Sequence, residues 1–320
     1  MNAVAAATRP ARYFASALLA LGLLASTSRA STQADPLPTI RVATIPIDAG
    51  SEVYYAQTLH FFEKAGINVE ITGMNSGGAV TTAVVAGAAD IGQSNAVSLA
   101  EAHEHGVPVV FVAPANSYSL KASQAGLLVL KDSPLHTGRD FDGKTVGISG
   151  LRGITEAGTL NWVDKNGGDS KTVRFLDLPF PEMASAVAAH RIDAALVTEP
   201  VLSAALNTNQ FRVVADPYSA IASDFLMGGW FATPAWVKAH PQQAAAFAKA
   251  ILETARWANT HHAESAAILE SVSNAHMGTA VHRVPFAEAL RAADLQPLID
   301  VCAKYGLLKA PFPAAELFPQ

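Results

Sequence analysis

A short turn, Asn75-Ser76-Gly77-Gly78, has the residue types and spacing that favour binding of an anion. It follows residues 67–72, in which apolar and polar side chains alternate as in a strand, and precedes a run of small apolar residues typical of a helix. The first amides of a helix have no carbonyl acceptor and lie at the positive end of its dipole. A carboxylate, sulfonate or other anion is therefore expected at Ser76, Gly77 and Gly78, unless the turn is a plain helix start.

A second glycine-rich turn, within residues 149–155, precedes another predicted helix. Its Arg152 is either a bidentate partner for an anionic group or a solvated surface arginine. Ile154 and Thr155 stand at the start of the helix, where amides again lack acceptors. Arg152, Ile154 and Thr155 are therefore predicted to bind the ligand.

Glu199 follows a predicted strand over 191–197 and precedes Pro200. A carboxylate that faces a cleft repels a purely anionic ligand and holds a hydrogen-bond donor or a cationic nitrogen instead. If Glu199 caps the helix after Pro200, this inference disappears. The sequence leaves both arrangements open, and Glu199 is retained as a candidate ligand-binding residue.

Three further candidates lie beside predicted strands. Ser94 and Asn95 follow a short strand near residue 91, at the carboxyl end where ligands bind in open α/β sheets. Trp230 follows Gly228-Gly229 and offers a flat apolar surface, although aromatic residues more often belong to the core. All three are predicted to line a binding site.

The pattern around these residues predicts two similar α/β halves. A strand over 40–45, a helix over 52–65 and the strand over 67–72 form a β-α-β unit, and residues 145–197 repeat this order of elements. Two glycines within 225–232 suit a crossing back to the first half. We therefore predict lobe 1 over 40–123 and 228–320 and lobe 2 over 124–227. Within the C-terminal part, helices are predicted over 241–260, 261–271, 286–292 and 296–305.

The amino terminus predicts a cleaved secretory signal peptide over 1–30. Arg9 and Arg12 precede an apolar run over 14–25, and Ser28-Arg29-Ala30 supplies the small residues of a cleavage site. The run is shorter than the ~20 apolar residues of a membrane span. The alternative is an uncleaved amphipathic helix. Residues 31–39 are expected to be a polar tether, and no cysteine stands at the cleavage point to carry a lipid anchor.

Composition and motifs argue against several functions. The formal net charge of −5 disfavours nucleic acid and anionic membranes as partners. The single cysteine, Cys302, leaves no intramolecular disulfide and no multi-cysteine metal site. Histidines at 103, 105, 261 and 262 lack zinc-type spacing, so solvated histidines are favoured over a metal site. The chain also has no Gly-x-Ser-x-Gly motif between a strand and a helix. We therefore expect no catalytic residue, and we expect no metal or cofactor; a secreted hydrolase is a third alternative.

The order of these motifs resembles the periplasmic substrate-binding proteins of ABC importers in the nitrate, sulfonate and taurine group, whose relatives bind thiamine pyrimidine precursors. The resemblance extends over about residues 40–318. It is carried by the first strand with Pro46 and Asp48 and by segments 66–70, 75–78, 87–92, 135–150, 191–194 and 198–200.

The resemblance implies a type II periplasmic-binding-protein fold, with two α/β lobes joined by two crossover strands and a ligand cleft between them. By position in this family, Asp48, Ser51, Asn116 and Ser117 are expected to contact the ligand. The implied function is capture of a small organic acid, a sulfonate or taurine-like molecule, or a related compound of nitrogen or sulfur. A monomeric periplasmic protein would close over it and deliver it to an ABC permease. Alternatives are a ligand sensor that docks on a membrane receptor, and a pyrimidine-type or aromatic acid ligand.

Overall fold

The structure, a computed structural model, describes residues 36–273 and 283–318. The signal peptide predicted over 1–30, and the tether up to residue 35, lie outside the described residues. Within the two described ranges, no helix combines the length and the apolar character needed to cross a membrane.

The strands predicted over 40–45, 67–72 and 191–197 and near residue 91 are present, whereas residues 117–119 form a strand that was not predicted. The strands of the structure are β1 (Thr39–Thr44), β2 (Asn68–Gly73), β3 (Ile91–Asn95), β4 (Val110–Pro114), β5 (Ser117–Ser119), β6 (Ala125–Leu130), β7 (Thr145–Ile148), β8 (Arg174–Asp177), β9 (Ala194–Thr198), β10 (Phe211–Val213), β11 (Asp224–Leu226) and β12 (Gly228–Ala232). The helices are α1 (Glu52–Thr58), α2 (Phe61–Lys64), α3 (Gly77–Val85), α4 (Ala96–Glu104), α5 (Ile154–Lys165), α6 (Phe180–Ala188), α7 (Val201–Asn207), α8 (Pro234–Ala239), α9 (Pro241–Ala258), α10 (His262–Ser273) and α11 (Ala292–Lys304).

Two five-stranded sheets form the centres of two α/β lobes. The first sheet has the order β2-β1-β3-β12-β4, and the second has the order β10-β6-β9-β7-β8. In the first sheet β1 pairs in parallel with β2 and β3, and in the second β7 pairs in parallel with β8 and β9. Parallel strands place their carboxyl ends at one edge of a sheet, so the residues that follow them gather there.

Two segments cross between the lobes. The first contains β5 and the second contains β11, and these two short strands pair with each other in an antiparallel ladder. After β11 the chain returns as β12, which inserts between β3 and β4 of the first sheet. The first sheet thus takes its strands from 39–114 and 228–232, and the second from 125–213; the limits of each lobe stay a prediction.

Apolar side chains fill the space between each sheet and its helices. In the first lobe, Ile40 and Trp230 pack against Phe247 of α9. In the second lobe, Val197 of β9 packs against Met183 of α6. Burial of such side chains is the main source of stability for each lobe.

Two of the predicted helices differ from the structure. The helix expected over 52–65 is divided into α1 and α2, because His60 adopts a left-handed backbone with a φ of 57°. The helix expected over 286–292 is wrong: residues 283–291 are not helical, and Phe286 forms an isolated β-bridge with Asn116. The side chain of Asn259 also bonds both backbone groups of Phe286, so tertiary pairing outweighs the local helical pattern.

Candidate functional site

A cavity of about 660 Å³ lies between the two lobes and is lined by both glycine-rich turns. We call it the cleft. From the first lobe it includes the start of α3 and residues of α4, and from the second lobe the turn after β7 and the last residue of β8. Ser76, Gly77, Gly78 and Asn95 all line it, so the structure brings four of the predicted site residues together.

Ser76 begins α3 at the cleft. Its side-chain oxygen accepts a hydrogen bond from the amide of Ala79, at 3.3 Å, which leaves the amides of Gly77 and Gly78 without an acceptor inside the helix. A Cβ atom on Gly77 would lie 2.5 Å from Ser94 Oγ, whereas a Cβ on Gly78 would meet no described atom within 4 Å. Gly77 therefore permits close packing, and Gly78 leaves the cleft open above it.

Asn95 begins the neighbouring helix α4. Its Oδ1 accepts a hydrogen bond from the amide of Ser98, at 3.0 Å, and its Nδ2 donates to Ser98 Oγ. Two helices of the first lobe thus start at the cleft wall. Ser94 lies beneath this wall, fully buried, and its Oγ has no hydrogen-bond partner among the described residues.

The turn after β7 is held in shape by two carboxylates. Gly150 has a φ of 81° and donates its amide proton to Asp177 Oδ1 at 2.8 Å. Arg152 has a φ of 58° and donates its amide proton to Glu156 Oε2 at 2.7 Å. Burial raises the pKa of Glu156, and this hydrogen bond opposes the effect. The turn therefore presents a fixed backbone to the second-lobe side of the cleft.

The Arg152 guanidinium joins the two lobes. Its Nε donates to Glu101 of α4 in an ion pair, and its Nη2 donates to the carbonyl oxygens of Gly306 and Leu307. Two of its three guanidinium nitrogens thus have protein acceptors, while the side chain stays 46% exposed. We call this set of contacts the Arg152 latch. Direct contact of Arg152 with a ligand stays a prediction.

Two carboxylates of the cleft were missed by the sequence analysis. Asp177 is the last residue of β8, and the strand-end rule that selected Ser94 and Asn95 applies to it equally. Glu101 lies on α4 and lines the cleft, but nothing in its local sequence marks it. Both carboxylates therefore line the same cavity as the helix starts, and Glu101 is paired there with Arg152.

Asp48 does not line the cleft; its carboxylate forms a buried ion pair with Arg283. Arg283 Nε lies 3.1 Å from both carboxylate oxygens, and the amide of Val284 donates to Oδ2 at 2.8 Å. Tyr55 adds a longer hydrogen bond at 3.4 Å. Ser51 is also buried, and its Oγ donates to the Asp48 carbonyl. Arg283 was missed because it lies in an irregular segment without a sequence signal.

Glu199 caps the helix after Pro200, which is the second of the two arrangements considered. Its carboxylate accepts hydrogen bonds from the Ser203 amide at 3.0 Å and from Ser203 Oγ at 2.8 Å. Burial raises the pKa of Glu199 to about 7, although the Ser203 hydrogen bonds oppose this shift. Contact between Glu199 and a ligand therefore stays a prediction, because the Ser203 hydrogen bonds already occupy its carboxylate.

The other predicted residues lie in the core or at the crossovers. Trp230 is fully buried in the first lobe and donates from its indole nitrogen to Glu52 Oε2 at 2.7 Å. Asn116 bridges to Phe286, and Ser117 Oγ donates to the Pro285 carbonyl. A role for these residues in ligand binding stays a prediction.

Ile154 and Thr155 form the first turn of α5, directly after the turn that lines the cleft. Both are buried, and Thr155 Oγ1 donates to the Ser149 carbonyl at 3.4 Å. Among the described residues, no group of three or more histidine, cysteine, aspartate or glutamate side chains is arranged to hold a metal ion. Burial raises the pKa of the Cys302 thiol to about 12, which makes it a poor nucleophile.

Comparison with known proteins identifies related chains. Residues 50–265 match the family model described as NMT1/THI5 like. An ABC transporter periplasmic binding protein of Brachyspira hyodysenteriae is 26% identical over 197 residues, which cover 56% of this chain and 55% of that protein. The chain thus matches about half the length of this curated relative.

Solved structures share the fold. The alkanesulfonate-binding protein SsuA from Xanthomonas axonopodis pv. citri, bound to MOPS, has a TM-score of 0.74 and 19% identity over 89% of this chain and 99% of that one. The periplasmic nitrate-binding protein NrtA from Synechocystis PCC 6803 has a TM-score of 0.72 and 15% identity over 88% of this chain and 85% of that one. The predicted type II periplasmic-binding-protein fold is therefore confirmed.

Replacing Asp48 with alanine is expected to destabilise the protein, because it leaves Arg283 as an unpaired buried charge. We expect the free energy of unfolding to fall by about 3–5 kcal/mol, measured by urea denaturation. Asp132→Ala is the control, since Asp132 is exposed. A loss below about 1 kcal/mol in the Asp48 variant would contradict this structural role.

Glu199 is expected to make stability depend on pH. Its folded pKa of about 7 lies above the ordinary value of 4.5, so the folded state binds the proton more tightly than the unfolded state. This contribution is fully present below pH 4.5 and is lost as pH rises through 7. Relative to Glu199→Gln, the wild type should lose about 3 kcal/mol of unfolding free energy across this window.

Urea denaturation of both proteins at several pH values between 4.5 and 8 measures this difference. Glu182→Gln is the control, because Glu182 is an exposed glutamate of the same lobe. Parallel stability curves for the wild type and Glu199→Gln would mean that Glu199 titrates normally.

Proposed function

Because the chain belongs to the NMT1/THI5-like family, we propose that it is the periplasmic substrate-binding component of an ABC importer. Its ligand is a small organic anion, such as a sulfonate or carboxylate, held between the two lobes. It binds this ligand in the periplasm as a monomer, delivers it to the transmembrane subunits of the permease, and performs no chemical reaction on it.

The observation that carries this proposal is the pair of glycine-rich turns that line one interlobe cleft. The unpaired amides at the start of α3 favour negative charge, and Gly78 leaves room for a ligand to approach them. A cleft of about 660 Å³ has the size of a typical small-molecule site.

A carboxylate of the cleft favours an organic ligand over a bare inorganic anion. Asp177 lines the same space as the helix starts, whereas Glu101, which also lines it, is paired with Arg152. A hydrogen-bond donor on the ligand would face Asp177 while its anionic group binds the amides. This arrangement replaces the role first considered for Glu199.

Lobe closure is the mechanism that we propose for capture. Arg152 belongs to the turn that lines the cleft from the second lobe, and Glu101 lines it from the first. A ligand between the lobes adds contacts that exist only in the closed state, and the Arg152 latch adds to them. The population of closed protein therefore rises when the ligand binds.

Substitution of Gly78 by phenylalanine is expected to abolish binding without unfolding the protein. A side chain at this position enters open space in the cleft and blocks the first amides of α3. We expect the Kd of any cleft ligand to rise by about a hundredfold or more, which corresponds to roughly 2.8 kcal/mol. The melting temperature without ligand should change little.

A thermal-shift screen measures this effect with sulfonates, taurine, nitrate, bicarbonate, pyrimidines and aromatic carboxylates. A ligand at ~100 times its Kd stabilises the wild type by about 2.7 kcal/mol. Ala245→Phe, an exposed substitution on α9, is the control and should respond like the wild type. A Gly78→Phe variant that binds as tightly as the wild type would remove the cleft from the proposal.

The Arg152 latch predicts a second, smaller effect on affinity. Arg152→Gln and Glu101→Gln should each raise the apparent Kd of the cleft ligand by about three- to tenfold, because the pair is partly exposed. The double variant should lose no more affinity for the cleft ligand than either single variant, as measured by isothermal titration calorimetry.

Arg174→Gln is the matched control, since Arg174 bonds Thr145 within its own lobe. If Arg152 instead contacts the ligand directly, Glu101→Gln would leave affinity unchanged or increase it, and the latch would be wrong.

A further inference from the structure

A second cavity, of about 560 Å³, also lies between the lobes. Ile47 lines it from the first lobe and Pro200 from the second. Their neighbours, Asp48 and Glu199, join the lobes by a hydrogen bond from the Asp48 amide to the Glu199 carbonyl, at 3.4 Å. The cavity is therefore completed only where the two lobes meet.

The lining of this cavity is suited to an uncharged group. None of its side chains is ionisable among the described residues, and the polar ones are limited to Asn75 and Thr208. An anion or a cation placed there would lose its hydration without a compensating charge. An apolar group would instead be removed from water against apolar walls.

The walls are also rigid. Pro46 lies on the first-lobe side, and Pro179, Pro181 and Pro200 lie on the second-lobe side. Each proline ring fixes its own φ angle, so these segments have little freedom to collapse into the space. A cavity of this size and rigidity between two lobes is typical of a preformed small-molecule site.

The second cavity adjoins the cleft through one turn of the chain. Asn75 lines the second cavity, and Ser76, the next residue, lines the cleft at the start of α3. Consecutive Cα atoms are about 3.8 Å apart. An organic molecule that spans this turn would place its anionic group at α3 and its remaining body beside Asn75.

We propose that the second cavity binds the apolar body of the ligand, an aromatic ring or a branched alkyl group. This inference rests on the proposed function, because it assigns the anionic end of the same ligand to the cleft. The second cavity is then the part of the site that selects substituted organic anions over small ones such as methanesulfonate or nitrate.

Substitution of Ala184 by phenylalanine tests this assignment. Ala184 is a partly exposed residue of α6 that lines the second cavity, so the larger side chain fills it. Ala188→Phe is the matched control on an exposed position of the same helix. The probes are toluenesulfonate and methanesulfonate, which share one anionic group and differ by the ring.

Isothermal titration calorimetry should show that wild type and Ala188→Phe bind toluenesulfonate more tightly than methanesulfonate. Ala184→Phe should raise the Kd of toluenesulfonate at least about tenfold and change the Kd of methanesulfonate by less than about twofold. Equal effects on both probes, or no effect on either, would overturn the assignment. Phe180→Ala enlarges the same cavity and should also alter toluenesulfonate affinity alone.

A neutral probe separates this inference from the proposed function. If the wild type binds neither sulfonate, the sulfonate assignment of the cleft fails, and p-cresol then tests the second cavity by itself. Binding of p-cresol by wild type and Ala188→Phe, with loss in Ala184→Phe, supports the apolar site. Absence of p-cresol binding by the wild type in that case overturns it.

Discussion

The buried ion pair between Asp48 and Arg283 holds the loop that makes one of the contacts between the lobes. Removing two charges from water costs several kcal/mol per ion, and the geometry must compensate for it. Here the Asp48 carboxylate accepts from the Arg283 guanidinium and from the Val284 amide. The loop is thereby fixed, and its Asp48 amide reaches the Glu199 carbonyl of the second lobe. Ile47, the residue before Asp48, lines the second cavity.

The shape of the cleft depends on close packing of side chains directly below the start of α3. Gly77 lies so near Ser94 that a Cβ atom would overlap its hydroxyl, and Gly78 beside it is unobstructed. Packing thus aims the first amides of α3 into the cleft. On the opposite side, the turn that contains Gly150 also carries Arg152, which bonds the other lobe. The turn that lines the cleft thus also supplies a contact between the lobes.

The sequence predicted the elements better than the contacts made between distant segments. Alternation of apolar residues, glycine turns and strand-end positions located both sheets, α3, α5 and the first-lobe part of the cleft, because these features depend on local spacing. Asp48, Glu199 and Trp230 were assigned to the ligand, but their partners are Arg283, Ser203 and Glu52. Asp48 and Trp230 depend on residues more than a hundred positions away.

Glu199 shows that a contact with a nearby residue can also be missed, because its partner, Ser203, is only four residues further along the chain. The sequence allowed both a cap and a ligand contact, and local spacing does not distinguish a carboxylate that turns inward from one that faces a cleft. Arg152 presents the same difficulty at longer range. Its acceptors lie on α4 and at Gly306 and Leu307, and only the folded chain brings them to the turn.

The position of β12 has a consequence for the order in which the protein acquires its structure. This strand lies between β3 and β4 in the first sheet, yet it follows the whole second lobe in the chain. The second sheet draws on one continuous stretch, whereas the first must wait for residues 228–232 before β4 has a neighbour. When the chain is synthesised from its amino terminus, all strands of the second sheet are therefore available before the first sheet can be completed.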